Sequence, residues 1–210
     1  DGCFRIEASL GLDVLIDPFE AKTGLTPPRF HPALVIKTLS DKFFELEENA
    51  QSLVIKGGGE YEFRGAEIRG FGLEKESIPT KESGLRSDGV GADKFTKTAY
   101  VLNIEEIKIG LVGPINNPPA GGEFLDALAG SDILIIPGDG SHYISADEVY
   151  KLFKKIEPKI IIPTFIRVPE LKRDALDVKE FIKTMGINSE IADKLTIKKK
   201  ELVDMKPKIL

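Results

Sequence analysis

The sequence predicts an α+β protein built from two β-sheets with outer helices. In the first half, short runs alternate apolar and polar residues and are separated by turn residues, the pattern of hairpin strands. The second half switches to apolar runs alternating with amphipathic helical segments. No linker or internal repeat interrupts the 210 residues, so one domain over 1–210 is expected.

Each element has a local reason. Cys3 to Glu7 and Asp13 to Asp17 read as neighbouring strands across a Ser9-Leu10-Gly11 turn, and Pro18, which lacks an amide donor, ends the second. Ala21 to Pro32 is a loop carrying Pro27-Pro28, and Ala33 to Ile36 is a buried strand too short for a helix. Ser40 to Asn49 reads as a short helix, and Ser52 to Ile55 as a strand. Gly57-Gly58-Gly59 is a turn before a hairpin, Glu60 to Phe63 and Ala66 to Arg69, folded around Arg64-Gly65. The polar stretch Glu74 to Lys97 reads as a loop, followed by a hairpin of Thr98 to Ile104 and Ile107 to Val112. Helices are predicted over Gly122 to Leu128, Ser145 to Lys155 and Val178 to Met185. Ser145 can cap the second, and Gly186 closes the third. Asp132 to Ile136 and Ile160 to Ile162 are buried strands, with a late strand over Leu195 to Ile197.

Composition narrows the chemistry. There are 29 Lys+Arg and 34 Asp+Glu, a net charge of −5, with two histidines and one cysteine. A single cysteine excludes an intrachain disulfide and fits a reducing, cytoplasmic location. A His- or Cys-rich tetrahedral zinc site cannot be assembled from His31, His142 and Cys3 alone. A Ser-His-Asp or Cys-His engine would have to use His31 or His142. The mildly acidic balance argues against a nucleic-acid partner. No apolar run reaches the roughly 20 residues that span a bilayer, so no membrane partner is expected. The chain starts without Met and shows no leader; upstream residues are expected to precede it.

Motif order carries a resemblance. The stretches are Cys3-Phe4-Arg5-Ile6, Ile16-Asp17-Pro18-Phe19, Thr23 to Pro28, Gly59-Glu60-Tyr61-Glu62, Asp132 to Pro137 and Ile156 to Pro163. Together they resemble the metallo-β-lactamase fold superfamily, in its branch of zinc-dependent hydrolases similar to ascorbate-6-phosphate lactonase. The resemblance implies a four-layer αββα sandwich of two mixed β-sheets with outer helices. It also implies that the family's first strand lies at and before Asp1.

The resembled family holds zinc through a His-x-His-x-Asp-His loop after the third apolar strand. In register, the histidine places hold Lys37, Leu39 and Lys42, and only Asp41 matches. The next histidine place falls at Glu74-Lys75, the bridging aspartate at Pro114, and the last histidine at Phe165. Leu39, Pro114 and Phe165 offer no lone pair to a metal, and Lys37 and Lys42 are cations. No metal cofactor is therefore predicted, although the resembled family uses zinc.

The expected function is that of a non-catalytic binding or scaffold module, taking a small anionic ligand or a protein partner. The alternative is a hydrolase of altered chemistry on a phosphorylated or lactone-like small molecule. It would use Asp41, Asp139 and His142, with Lys37 or Lys42 stabilising charge. A third possibility is a structural subunit of a homo-oligomer. Asp139 and His142 sit in Gly138 to Tyr143, between a strand end and a helix start, where functional loops of open α/β sheets lie. Asp41 could equally cap the helix that follows it. His31 is assigned no role. Gly57 to Gly59 lacks the Lys-Ser/Thr of a phosphate cradle. Lys198-Lys199-Lys200, beside Glu201, reads as a solvated strand edge, and Cys3 as a buried strand residue.

Overall fold

The structure is a computed structural model. It describes residues 2–40, 47–49, 52–77, 94–117 and 122–210, with the backbone alone at 47–49, 74–77 and 94–95. Two mixed sheets face each other. The smaller has the order β1-β2-β3-β6-β5. Its strands are β1 (Phe4–Glu7), β2 (Asp13–Ile16), β3 (Leu34–Lys37), β5 (Glu47–Asn49) and β6 (Ser52–Lys56). β2, β3 and β6 run parallel, so their C-terminal ends share one edge.

The larger sheet has the order β13-β14-β12-β11-β10-β9-β8-β7, and the short β4 (Leu39–Ser40) pairs with β9. Its members are β7 (Gly59–Phe63), β8 (Ala66–Ser77), β9 (Lys94–Ile104), β10 (Ile107–Leu111), β11 (Ile133–Pro137), β12 (Ile160–Thr164), β13 (Asn188–Ser189) and β14 (Lys208–Ile209). β7 to β10 form an antiparallel meander, and β10, β11 and β12 run parallel.

Strand alternation sorts side chains to the two faces. Val14, Ile16, Leu34, Ile36 and Ile55 of the smaller sheet meet Ile68, Tyr100, Leu102, Leu111 and Ile135 of the larger, all fully or nearly fully buried. The other face of the larger sheet presents Ala99, Val101, Leu134, Ile136 and Ile161 to the helices. These are α1 (Glu123–Leu128), α2 (Ala146–Ile156) and α3 (Val178–Met185). α2 buries Val149, Leu152, Phe153 and Ile156. Its Ser145 side chain accepts from the Glu148 amide while Glu148 bonds back to Ser145, a capping box. Asp177 caps α3, and Gly186 ends it with φ of 62°. The expected two mixed sheets with helices are present. No helix among the described residues is long and apolar enough to cross a membrane.

Four local expectations are corrected. The helix over Ser40 to Asn49 is not formed at Glu47–Asn49, which pairs antiparallel with β6 at the open edge of the smaller sheet. Sheet pairing there overrides the helical preference of Glu47 and Glu48. Asp41 and its proposed capping role lie outside the described residues. The polar segment from Glu74 to Lys97 is strand at both ends, because β8 and β9 extend as a long hairpin through a register shift between Gly72 and Lys75. No strand forms over Leu195 to Ile197. Those residues pack on the inter-sheet core from irregular backbone, and β14 occupies the parallel position beside β12. Lys199 and Lys200 begin α4 (Lys199–Leu202) instead of edging a sheet, and Lys199 Nζ pairs with Asp132 at 2.6 Å.

Candidate functional site

Two clusters occupy the edge at which the parallel strands end, the usual place for ligand sites in α/β sheets. The first lies between the sheets. Asp17 follows β2 with φ of 44°, a left-handed conformation that turns its carboxylate towards the end of β3. It accepts from the Thr38 amide at 2.7 Å and from Thr38 Oγ1 at 2.5 Å. Thr38 is 1% exposed, and its carbonyl accepts from the Thr98 amide at 2.8 Å, joining β3 to the larger sheet. The fully buried Tyr100 hydroxyl reaches the carbonyls of Lys37 at 3.1 Å and Gly57 at 3.2 Å. Gly113 follows β10 against Thr38; a Cβ there would stand 2.7 Å from Thr38 Cβ, so the residue must be glycine.

Burial pushes the Asp17 carboxyl up to about 6, against the opposing pull of the Thr38 bonds and the Lys37 charge. Cys3 is a partly buried free thiol, pushed up to about 11 by burial and then by the Asp17 charge. Little of it is thiolate at neutral pH, so it is a slow nucleophile there. Burial also raises the Tyr100 phenol, which stays protonated.

The second cluster lies beyond β11 and β12. The Asp139 side chain has no exposed surface, and five donors surround it. Its Oδ1 accepts from the Ser141 amide at 3.1 Å, Ser141 Oγ at 2.6 Å and the Leu176 amide at 3.3 Å. Its Oδ2 faces Arg173 Nη1 at 3.0 Å and His142 Nδ1 at 3.1 Å. Burial alone would raise this carboxyl. The bonds from Ser141, Arg173 and His142 outweigh it and hold it at about 2, so Asp139 is ionised.

Arg173 also donates through Nη2 to the Phe165 carbonyl at 2.5 Å. Its guanidinium carbon stands 5.7 Å from the Tyr143 ring centre and 6.0 Å from that of Phe165. Those two rings lie 4.8 Å apart. Phe165 has φ of 58°, a strained value for a bulky residue, held by the Arg173 bond and the ring contact.

The sequence-derived candidates are distributed as follows. Asp139 and His142 are brought together, and Phe165 joins them through Arg173. Lys37 ends β3 beside Lys56 of β6; both have the strand parity of the outer face, away from Ile36 and Ile55. Leu39, 36% exposed, pairs with Lys97 of β9. Lys97 points to the helix side of the larger sheet, where Nζ reaches Asn116 Oδ1 at 3.0 Å. Pro114 is buried after β10. Glu74 and Lys75 lie in β8, with only their backbone described. Asp41 and Lys42 lie outside the described residues, so their relation to His142 is not fixed.

Sequence reasoning missed Thr38, Tyr100 and Arg173. Thr38 stands directly after the apolar strand, between Lys37 and Leu39, and that position is the available signal. Arg173 lies 34 residues from the carboxylate it serves, with no periodic signal linking them.

The described residues at this edge do not fit zinc. Leu39, Pro114 and Phe165 have no donor atom, Lys37 is cationic, and the Asp17 oxygens are engaged by Thr38. Among the described residues, no three His, Cys, Asp or Glu side chains gather to hold a metal.

A family model described as a beta-lactamase superfamily domain matches residues 1–165. A search of curated protein sequences returns no match. Several crystal structures share the fold. A Thermotoga maritima protein, proposed to be a Zn-dependent hydrolase of the metallo-β-lactamase superfamily, is 20% identical with a TM-score of 0.70, over 99% of this chain and 93% of its own. Igni18, a metallo hydrolase from Ignicoccus hospitalis, is 16% identical with a TM-score of 0.59, over 100% of this chain and 91% of its own. The metallo-β-lactamase fold protein YhfI from Bacillus subtilis is 9% identical with a TM-score of 0.54, over 99% and 88%. At these identities the structural likeness establishes the fold alone. Taken with the family model, which spans both sheets up to the residue after β12, it places this chain in the metallo-β-lactamase superfamily.

Proposed function

We propose that this chain does not carry out zinc-dependent hydrolysis and serves as a binding or scaffold module on the superfamily's fold. One observation carries the reading: residues without metal-donor chemistry, Leu39, Pro114 and Phe165, occupy the strand-end edge. Without several lone-pair donors, no bound water can be lowered in pKa to become a nucleophile. Phe165 is moreover built into a different arrangement, stacked on Tyr143 and tied by Arg173.

The favoured ligand class is a small anion. Lys37 and Lys56 end neighbouring parallel strands in register on one face of the smaller sheet; Lys56 is buried, and the half-buried Lys37 is the cation offered to an anion there. A cytoplasmic location agrees with the single unpaired thiol. The test is turnover of an activated phosphodiester and of a lactone by the full chain in the presence of added zinc. The expected result is no zinc-dependent turnover. Hydrolysis that rises with zinc and is lost on chelation contradicts the reading.

A further inference from the structure

We propose that Nε2 of His142 is a phosphoryl-acceptor site, a modification site independent of the module's ligand. The argument starts from the tautomer. Asp139 Oδ2 lies 3.1 Å from His142 Nδ1, and Ser141 Oγ lies 2.7 Å from the same nitrogen. The Ser141 hydroxyl donates to Asp139 Oδ1 at 2.6 Å, so its proton is already committed. An unprotonated Nδ1 would set a lone pair against a carboxylate. Nδ1 therefore carries the proton and donates to Asp139 and Ser141, leaving the lone pair on Nε2. Across the ring from these bonds, Nε2 has no bonding partner among the described residues, and the side chain is 49% exposed.

A carboxylate on one imidazole nitrogen orients the ring and sharpens the other nitrogen as a nucleophile or ligand. Metal ligation would need further donors, and among the described residues none gather here. Serine-type catalysis is excluded by geometry, because Ser141 and Asp139 address the same nitrogen. Covalent acceptance needs only Nε2 and an electrophile. Arg173 shares Asp139 Oδ2 with His142, so it helps hold the carboxylate on the Nδ1 side and leaves Nε2 facing outward. The nearby Glu148 carboxylate is turned onto the Ser145 amide and hydroxyl.

In the step, Nε2 attacks the phosphorus of a small phosphoramidate or acyl phosphate and a new N–P bond forms. The donor's bond to phosphorus breaks, and its electron pair leaves with the departing ammonia or carboxylate. The ring becomes an imidazolium whose remaining proton, on Nδ1, is held by Asp139.

The experiment treats the full chain with phosphoramidate and locates the added phosphoryl group by mass spectrometry. Exposed His31 serves as the internal reference. His142 is expected to be labelled about tenfold faster than His31, at Nε2, with an acid-labile bond. Asp139→Asn is expected to bring His142 down to the His31 rate, and His142→Asn to abolish that label. Nitrogen chemical shifts of the unmodified chain are expected to report Nδ1–H for neutral His142, a readout that holds if Asp139→Asn fails to fold. Equal labelling of the two histidines, labelling at Nδ1, an Nε2–H tautomer, or a folded Asp139→Asn chain with unchanged His142 rate would each overturn the proposal.

Discussion

Asp17 and Asp139 both follow parallel strands at the same edge, one in each sheet, yet their carboxyls move in opposite directions. Asp17 keeps some solvent contact but sits deep between the sheets, with Thr38 as its donor residue. Its carboxyl is pushed up to about 6. Asp139 has no exposed side-chain surface but lies between the loops that follow β11 and β12, with an arginine, a histidine, a hydroxyl and two amides turned on it. Its carboxyl is held at about 2. Exposure alone ranks the pair in the wrong order. What decides is how deeply each carboxyl lies in the protein together with how many donors repay the lost hydration, and one of the two centres is built to keep its charge.

The largest effect expected from this contrast is at Asp139. Asp139→Ala leaves Arg173 and two amides without their acceptor, and should cost about 3–5 kcal/mol in urea unfolding. Asp17→Asn should cost under about 1 kcal/mol near neutral pH, because the amide can still accept from the Thr38 amide while donating to its hydroxyl. Equal losses at the two positions would break the comparison.

Titration comes next, with the signs opposed. The folded Asp17 value of about 6 stands above the ordinary 3.8. Its contribution to stability is therefore fully present below 3.8 and is lost as pH rises through 6, up to about 3 kcal/mol. Asp139, at about 2 in the fold, contributes above 3.8, and that contribution is lost as pH falls through 2. From 3.8 to about 6, of the two only Asp17 should slope. Unfolding free energies across pH 4 to 7 should show a decline in the wild type that Asp17→Asn removes.

Smaller effects sharpen the picture around Asp17. Gly113→Ala drives a methyl into Thr38, the residue that holds the Asp17 carboxylate, and should cost about 1–3 kcal/mol in unfolding. Cys3 should react slowly with a thiol reagent near neutral pH. Asp17→Asn should speed it modestly, since the Asp17 charge is the second cause of the raised thiol.

The legible part of this molecule was its local periodicity. Ile133–Pro137 and Ile160–Thr164 announce themselves as buried strands, and Ser145 with Glu148 announces the start of α2. Glu47–Asn49 misled because its helix-favouring residues answer to a strand partner that composition does not reveal. At the site, the sequence paired Asp139 with His142 because they are three residues apart. It could not supply Arg173, which arrives from a loop after β12, nor the role of Thr38, which depends on the other sheet closing over it. Residues that meet only through tertiary packing leave no spacing to read.

We propose that the superfamily's fold persists here with a strand-end edge that does not hold zinc. Metal analysis of the purified full chain, after equilibration with zinc and removal of the free ion, decides this. No stoichiometric zinc is expected; about one tightly held zinc per chain would contradict the proposal.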